Sequence, residues 1–327
     1  MKKEEYLKKL EYLLIDMPTE DLMQIEDFYE ELILDGVEQG YTEEEILDKF
    51  ETPEEVADKI RAEYGGLVVY TAKAKSKEEK QGYTSSEMIH TVQVETENRK
   101  IRVKAVEEGP VRVYFKSEDD LDRVEFEEKD GVFLFRHRRK KTLNIKSWLN
   151  FLFDFNLVIL EIPVNFAGKL YIRTTNGTVR IDGLANLSSG EICTNNGKIR
   201  IENSRAEDLR ISSNNGMIEL ANLIGEELEV SAANGLISAK ECRFPRRLSL
   251  GTQNGAVTGR NIISDEIIMQ SSNGFVTGTV IGNQNDYNIN STTRNGFNNL
   301  DNINDPNRTR SLTARTHNGR IQIDFTL

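Results

Sequence analysis

Side-chain amides recur through the second half of the chain at a spacing that suits either binding or architecture. Asn-Gly occurs eight times, with intervals of 20, 19, 19, 20, 19, 22 and 23 residues between the asparagines. These are Asn176, Asn196, Asn215, Asn234, Asn254, Asn273, Asn295 and Asn318. Repeated amides can bind sugars or metal ions, but the loops of calcium-binding solenoids also supply carboxylates. This repeat holds no Asp at a fixed place, so it favours a scaffold in which stacked asparagines form a hydrogen-bonded ladder.

Other residues that could do chemistry are few. The three histidines are His90, His137 and His317. None of them has a Cys, Ser or acid at the spacing of a nucleophilic or metal-binding motif. The acids of the repeat do not share one column; examples are Glu202, Glu207, Glu219 and Glu241. We therefore predict no enzyme activity, no cofactor and no metal site, and surface positions for the histidines. Two carboxylates facing each other across neighbouring repeats, as in a glycan-active solenoid enzyme, are the alternative.

The composition is that of an ordinary soluble chain, and it disfavours some classes of protein. Of 327 residues, 38% are hydrophobic and 29% are charged, and the net charge of −12 disfavours nucleic acid as a partner. No apolar run approaches the roughly 18 residues of a membrane-spanning helix, and the first residues lack the pattern of a secretory signal. Cys193 and Cys242 fall in different columns of the repeat, which predicts two buried thiols in a reducing compartment. We expect a cytoplasmic protein, or one peripheral on the inner face of the membrane.

Aligned on their asparagines, the repeats alternate apolar and polar columns. Residues six and four before the asparagine and three and eight after it are mainly apolar, and the residue two before it is small. The column three after holds Val179, Ile199, Ile218, Ile237, Val257, Val276 and Ile321, with Asn298 as the exception. The column eight after holds Leu184, Leu223, Cys242, Ile262, Ile281 and Ile303, with Ser204 as the exception. This is strand alternation that turns a corner at each Asn-Gly.

Two architectures fit these columns. Asn-Gly favours type I′ hairpin turns, so a propeller or a meander of hairpins explains the dipeptide. A β-solenoid explains the columns as well, because like residues stack on like from one rung to the next. We therefore predict an α+β chain in separate domains: a small all-α module, then an all-β, single-stranded β-solenoid with rungs of about 20 residues.

Residues 1–66 have the periodicity of a small helical module. The apolar face of the first helix is formed by Tyr6, Leu7, Leu10, Leu13 and Leu14. Thr42 with Glu45, and Thr52 with Glu55, have the spacing of capping boxes at the start of two further helices. Roughly 21 acids against 7 bases in residues 1–64 make the module strongly acidic. Its acidic surface is either a solvated face or a docking face for a basic partner.

The helical module resembles the HAAS family of bacterial signalling domains. The resemblance lies in "YLKKLEYLL", in "MPTEDLMQIEDFYEELILDGVEQGYTEEEILDKF" and in "TPEEVADKI", as an ordered set. Met17 departs from the Leu that is usual before the proline. The resemblance implies signalling rather than catalysis, in a family whose module commonly precedes membrane segments or output domains. It also implies a partner such as a transcriptional regulator or a membrane signalling protein.

Residues 67–89 are mostly polar, so we predict a linker there and a β-solenoid over residues 90–327. This second part resembles the adhesin-like β-strand-repeat family, in "VILEIPVNFAGKLYIRTTNGTVRIDG" and in the repeats that follow it. The resemblance covers about 240 residues and implies a β-repeat fold. Adhesion is a weaker implication than the fold.

One segment, residues 136–156, does not have the pattern of the scaffold. A basic run, Arg136, His137, Arg138, Arg139, Lys140 and Lys141, precedes the apolar residues Trp148, Leu149, Phe151 and Phe153. Basic charge followed by aromatic rings suits a peripheral contact with anionic lipid. The same segment also suits an inserted cap over the open end of the solenoid.

The function expected from these features is non-enzymatic. The first hypothesis is a signalling or cell-envelope-associated interaction protein, in which the solenoid is a binding platform and the helical module docks a protein partner. A surface adhesin or glycan-binding protein is the alternative, and a glycan-active enzyme is the third.

Overall fold

The computed structural model describes residues 3–14, 25, 29, 33, 42–48, 50–58, 60–61, 81–85, 88–115, 122–139 and 157–326. These residues fall into two compact units. One lies within residues 1–79 and is helical; the other lies within residues 80–144 and 154–327 and is made of strands. The predicted class, a helical module followed by an all-β domain, is confirmed.

The helical unit closes around one apolar cluster. Its helices are α1 (Lys3–Leu13) and α2 (Glu43–Leu47), and residues 53–58 and 60–61 are also helical. The buried cluster consists of Tyr6, Leu7, Leu10, Leu14, Ile33, Ile46, Leu47, Val56, Ala57 and Ile60. The face predicted for α1 is therefore the buried one, although Leu13 is only partly covered.

Both predicted capping boxes are present. The Thr42 backbone N–H donates to the Glu45 carboxylate at 2.9 Å, and the Glu45 N–H donates to Thr42 Oγ1 at 3.3 Å. Thr52 and Glu55 repeat the exchange at 3.0 and 3.3 Å. Each box satisfies backbone donors that a helix start otherwise leaves open.

Within the part of the chain that the structure describes, the β domain contains 21 strands. They are β1 (Gln81–Thr84), β2 (Thr91–Thr96), β3 (Lys100–Val106), β4 (Arg112–Phe115), β5 (Asp122–Lys129), β6 (Val132–Arg139), β7 (Leu157–Pro163), β8 (Lys169–Asn176), β9 (Val179–Asp182), β10 (Leu187–Asn196), β11 (Ile199–Asn215), β12 (Ile218–Ile224), β13 (Glu227–Asn234), β14 (Ile237–Lys240), β15 (Arg247–Asn254), β16 (Val257–Ile262), β17 (Glu266–Asn273), β18 (Val276–Ile281), β19 (Tyr287–Asn295), β20 (Arg310–Asn318) and β21 (Ile321–Thr326).

The strands form two mainly parallel sheets that share β11. Sheet B, whose repeat strands end at the asparagines, runs β5, β6, β2, β8, β10, β11, β13, β15, β17, β20, β19. Sheet A, whose repeat strands begin after the Asn-Gly pairs, runs β1, β4, β7, β3, β9, β11, β12, β14, β16, β18, β21. Like residues pair with like, as Asn215 does with Asn234. This is the solenoid, and not a chain of hairpins.

The predicted apolar columns line the space between the sheets. From Val179 to Ile321, the column three residues after each asparagine is buried, apart from the half-buried Asn298. The column eight after departs at Ile281, which is 36% exposed while Val280 is fully buried. A register irregularity between Gly259 and Ile262 pairs Ile262 with Val280, so the inward position moves by one residue.

The last two repeats stack in an order that the sequence did not predict. β20 and β21 lie on β17 and β18, and β19 lies outside β20. Rung order is therefore not chain order at this end. Ile289 and Ile303 exchange backbone hydrogen bonds of 2.9 Å, and the Asn299 side chain bonds both backbone groups of Ile323. Amide side chains thus cover part of the terminal edge.

The first rung is also distant in sequence from its neighbour. β2 and β3 stack directly on β8 and β9, and β6 and β7 lie outside them. β1 pairs with β4, and its Tyr83 packs against Phe126 and Phe133. The strand part of the chain therefore begins by Gln81, inside the range 67–89 for which a linker was predicted.

Candidate interaction surface

The asparagines of the eight Asn-Gly pairs lie in one column, and their side chains are hydrogen-bonded to one another. Each amide Nδ2 donates to the Oδ1 of a neighbour at 2.6 to 2.9 Å. The ladder starts one rung earlier than the repeat does, because Asn176 donates to Asn98 at 2.6 Å. Its order is Asn98, Asn176, Asn196, Asn215, Asn234, Asn254, Asn273, Asn318, Asn295.

The glycine after each asparagine is required by the closeness of the stacked rungs. A Cβ at Gly235 would overlap the carbonyl oxygen of Gly216, and the other ladder glycines meet the rung beside them in the same way. On several rungs the small residue two positions before the asparagine stabilises the close approach of the two rungs from the inner side, because its hydroxyl donates to the glycine carbonyl of the neighbouring rung. Thr252 Oγ1 donates to the Gly235 carbonyl at 3.2 Å, and Ser271 Oγ to that of Gly255 at 2.8 Å.

The ladder is on the outside of the solenoid. All nine asparagine side chains are exposed, whereas the residues two before and three after each Asn-Gly are mostly buried. The predicted ladder is therefore present, but it is not part of the buried core. The asparagine stands at a convex corner, where only Gly and one further residue join sheet B to sheet A.

A row of outward side chains, of which half are exposed and half are half-buried, follows the ladder along this corner. The residues directly after the glycines are, in stacking order, Thr178, Lys198, Met217, Leu236, Ala256, Phe275, Arg320 and Phe297. Leu236, Phe275 and Phe297 are 46%, 54% and 60% exposed. The Arg320 guanidinium lies 5.5 Å from the centre of the Phe275 ring. We name this row, with the ladder and the outward residues one and three before it, the Asn-Gly edge.

On its eight Asn-Gly rungs the edge carries positive charge and no acid, whereas the rung of Asn98 adds Glu95 and Glu97. The charged residues of the eight Asn-Gly rungs are Arg173, Lys198, Arg294, Arg315 and Arg320, with His317 beside them. Arg294 and Arg315 are exposed and form no ion pair with any described residue. In a chain with 54 acids, a surface that runs over eight rungs without one has a distinct electrostatic character.

The second corner of each rung was missed by the sequence reasoning. Gly183, Asn203, Asn222, Glu241 and Asn261 form a column in which every φ is positive, between 48° and 78°. We name this column the left-handed corner. Asn222 Nδ2 donates to Asn203 Oδ1 at 2.9 Å, which makes a second, shorter amide ladder. Its signal in the sequence was weak: Asn203 and Asn222 are 19 residues apart, but Glu241 interrupts the series before Asn261.

The histidines do not come together. His90 and His317 are exposed, as predicted. His137 is fully buried, so its predicted surface position is wrong. Strand alternation in β6 turns Phe133, Phe135 and His137 inward. There His137 Nε2 accepts a hydrogen bond of 2.8 Å from the guanidinium of Arg99.

Three of the four repeat acids named above pair with basic residues, and of the thiols Cys193 donates to the Glu191 carboxylate at 3.8 Å. Glu202 pairs with Arg200 at 3.0 Å, and Glu219 pairs with Lys198 at 3.0 Å, both on the outer face of sheet A. Both cysteines are free thiols, but only Cys242 is buried. Burial raises the pKa of the Cys242 thiol to about 12, so it stays neutral. Within the described residues, no group of three or more His, Cys, Asp and Glu side chains could hold a metal ion.

The basic and aromatic segment lies only partly within the described residues. Arg136, His137, Arg138 and Arg139 belong to β6, so they are part of sheet B and not of an insertion. Arg136 donates to the Glu95 carboxylate at 2.9 Å, and Arg138 is exposed. Lys140, Lys141, Trp148, Leu149, Phe151 and Phe153 fall outside the described residues. Among the described helices, none is long and apolar enough to cross a membrane.

Comparison with known proteins identifies both parts of the chain. The HAAS family model matches residues 5–59, and the Toastrack DUF4097 family model matches residues 83–325. A search of curated proteins found no match. One similar crystal structure is that of a "putative cell adhesion protein" from Clostridium sporogenes. The two chains are 12% identical, and the match covers 76% of this chain and 100% of that one, with a TM-score of 0.25.

Proposed function

We propose that this chain, which belongs to the Toastrack DUF4097 family, is a non-enzymatic interaction protein associated with the cell envelope. In this proposal the β-solenoid is a binding platform that works through its Asn-Gly edge. The HAAS unit docks a protein partner, such as a regulator or a membrane signalling protein. The protein acts in the cytoplasm or on the inner face of the membrane.

The observation that carries the proposal is the exposed row on the Asn-Gly edge. Soluble proteins leave large apolar side chains exposed singly, whereas contiguous rows of them mark interaction surfaces. Here Phe275 and Phe297 are more than half exposed at the same position of the repeat, two rungs apart. The core does not require Phe275, because the next residue, Val276, supplies the buried apolar column.

The helical unit supports the second half of the proposal. Its apolar cluster is formed by its own residues. Its composition, about 21 acids against 7 bases in residues 1–64, would suit a basic partner. We expect residues 1–66 to fold alone, because their buried cluster is closed and two capping boxes fix the later helices. Circular dichroism of that fragment would test this, and a disordered fragment would contradict it.

In-cell photo-crosslinking tests the platform directly. A benzophenone side chain at position 275 or 297 should give adducts. The same group at Ile224, which is 48% exposed but lies beyond the left-handed corner, should give far fewer. Adducts that form equally at all three positions would remove the platform proposal. Fractionation with protease protection would test location, since a surface-accessible protein would favour adhesion instead.

A further inference from the structure

We infer that the Asn-Gly edge is a contact surface for a bilayer with anionic headgroups. The inference rests on the proposed platform role and names what the platform binds. The row from Met217 to Phe297 would enter the headgroup region along its length, with arginines beside it on the phosphates. Six rungs at about 4.8 Å make this row roughly 24 Å long.

Backbone N–H and C=O groups along the edge already form hydrogen bonds between neighbouring rungs. The Val257 N–H donates to the carbonyl of Phe275 at 2.8 Å, and the Val276 N–H donates to that of Arg320 at 2.9 Å. The Gly255 N–H donates to the carbonyl of Asn273 at 3.1 Å. A peptide therefore cannot join this edge as an added strand, and only side chains are presented.

The shape of the edge excludes a second kind of occupant. Peptide and small-molecule sites are concave, because their walls bury most of the ligand. The edge is a convex corner, two residues wide between strands of different sheets, such as Asn273 and Val276. A convex row of side chains fits a flat surface instead, as a bilayer presents.

Charge selects the kind of surface. Arg294, Arg315 and Arg320 are exposed near Phe275 and Phe297, at the end of the stack that carries both aromatic rings of the row. No position on the eight Asn-Gly rungs of the edge carries a carboxylate that would repel a phosphate; Glu95 and Glu97 lie on the rung of Asn98, at the other end of the stack. Basic residues next to apolar side chains are the pattern of peripheral binding to anionic lipid. The chain as a whole has a net charge of −12, so anionic lipid would repel it unless a local basic surface faced the bilayer.

Vesicle binding by the full chain tests the inference. The protein should sediment with vesicles of equal parts phosphatidylglycerol and phosphatidylcholine, less so in high salt, and weakly with phosphatidylcholine alone. Arg294→Gln with Arg320→Gln should weaken partitioning by roughly 20- to 30-fold, from about 1 kcal/mol for each charge. Phe275→Glu with Phe297→Glu should abolish it. The matched control, Ile224→Glu with Arg205→Gln, should bind as the parent does.

A site-specific signal keeps the result independent of global stability. In a Trp148→Phe background, Phe275→Trp should shift its fluorescence to the blue with the phosphatidylglycerol vesicles, and Ile224→Trp should not. The inference is overturned if binding is absent, or if it survives both edge variants, since another segment such as 136–156 would then carry it. Dimerisation abolished by Phe297→Glu would overturn it too, because a second copy would then be the occupant. Edge crosslinks to protein without vesicle binding would remove the inference and leave the platform proposal intact.

Discussion

The Asn-Gly edge and the left-handed corner turn the same rungs, but they constrain their residues differently. On the edge, each of the eight Asn-Gly rungs needs Gly because its neighbour's carbonyl occupies the place of a Cβ, and a ladder of nine asparagines, beginning at Asn98, is unbroken. At the left-handed corner the requirement is only a positive φ, which Gly183, Asn203 and Glu241 all meet. Steric contact between rungs dictates residue type more strictly than backbone conformation does.

This difference has a consequence for function. Because Asn and Gly fix the geometry of the edge, the residue that follows them is released from any role in folding. It varies from Thr178 to Phe297, and in our proposal it is the residue that the edge presents to a partner. The left-handed corner has no such released row of large apolar side chains, and Ile224 stands there between Arg205 and Arg243.

The largest effect is expected from a methyl group on the edge. Gly235→Ala should lower the free energy of unfolding by about 3 kcal/mol or more, because the added Cβ overlaps backbone that cannot move without its rung. Gly183→Ala should cost about 1 to 2 kcal/mol, since its φ of 78° is unfavourable but its Cβ would meet only Ala105 at 3.6 Å. Denaturant titration measures both.

Gly251→Ala is the control for that comparison. No atom lies within 4 Å of its added Cβ, and its position on sheet B is open, so stability should change by less than about 0.5 kcal/mol. If Gly235→Ala were as mild as Gly251→Ala, close stacking would not be the reason for glycine on the edge.

A smaller effect is expected from the ladder itself. Asn234→Ala removes a bond to Asn215 and one from Asn254, at 2.9 and 2.8 Å, and should cost about 1 to 2 kcal/mol. The ladder is exposed, so water replaces part of what is lost. Adding Asn215→Ala should not double the cost, because the two positions share one bond. Additive costs in this cycle would show that the ladder is a row of independent polar groups.

The sequence predicted the regular part of this fold and missed its ends. The apolar columns from Val179 to Val276 predicted the length of a rung, the position of its Asn-Gly corner and its core residues. They could do so because strand alternation and the close stacking of rungs both produce a periodic pattern in the sequence. The reversed order of β19 and β20 left only an indirect trace. The longer intervals before Asn295 and Asn318, and the polar Asn298 in an apolar column, mark the place. Chain order cannot reveal it, because either order buries the same residues.

The candidate surface was less predictable than the fold. The ladder followed from its spacing, but the exposed row did not, because Met217, Leu236 and Phe275 look like core residues in a sequence. Their exposure depends on a corner only two residues wide. His137 was misplaced for the opposite reason, since a basic run concealed the alternation of β6.

The left-handed corner should accept a changed residue on its inner side. Cys242 follows Glu241 into the core, and its thiol lies 3.5 Å from the Lys240 carbonyl. Ser204 fills the equivalent place two rungs away, and its hydroxyl donates to the Glu202 carbonyl at 2.7 Å. Cys242→Ser should therefore cost only about 1 kcal/mol, measured by thermal unfolding. A loss above about 3 kcal/mol would mean that the column requires an apolar group there.

The smallest effect is expected from completing the second ladder. Glu241 has a φ of 55°, which asparagine adopts more readily than glutamate, and Asn222 lies beside it with an Oδ1 that can accept from a new amide. Glu241→Asn should therefore raise stability by about 0.5 to 1 kcal/mol. The lost pair with Lys240, at 3.5 Å and half exposed, subtracts little. Glu241→Gly relieves the backbone without supplying the amide, so the difference between the two variants measures the ladder alone. If glycine stabilises as much as asparagine does, positive φ is the whole requirement of this corner, and continuous amide ladders belong to the Asn-Gly edge only.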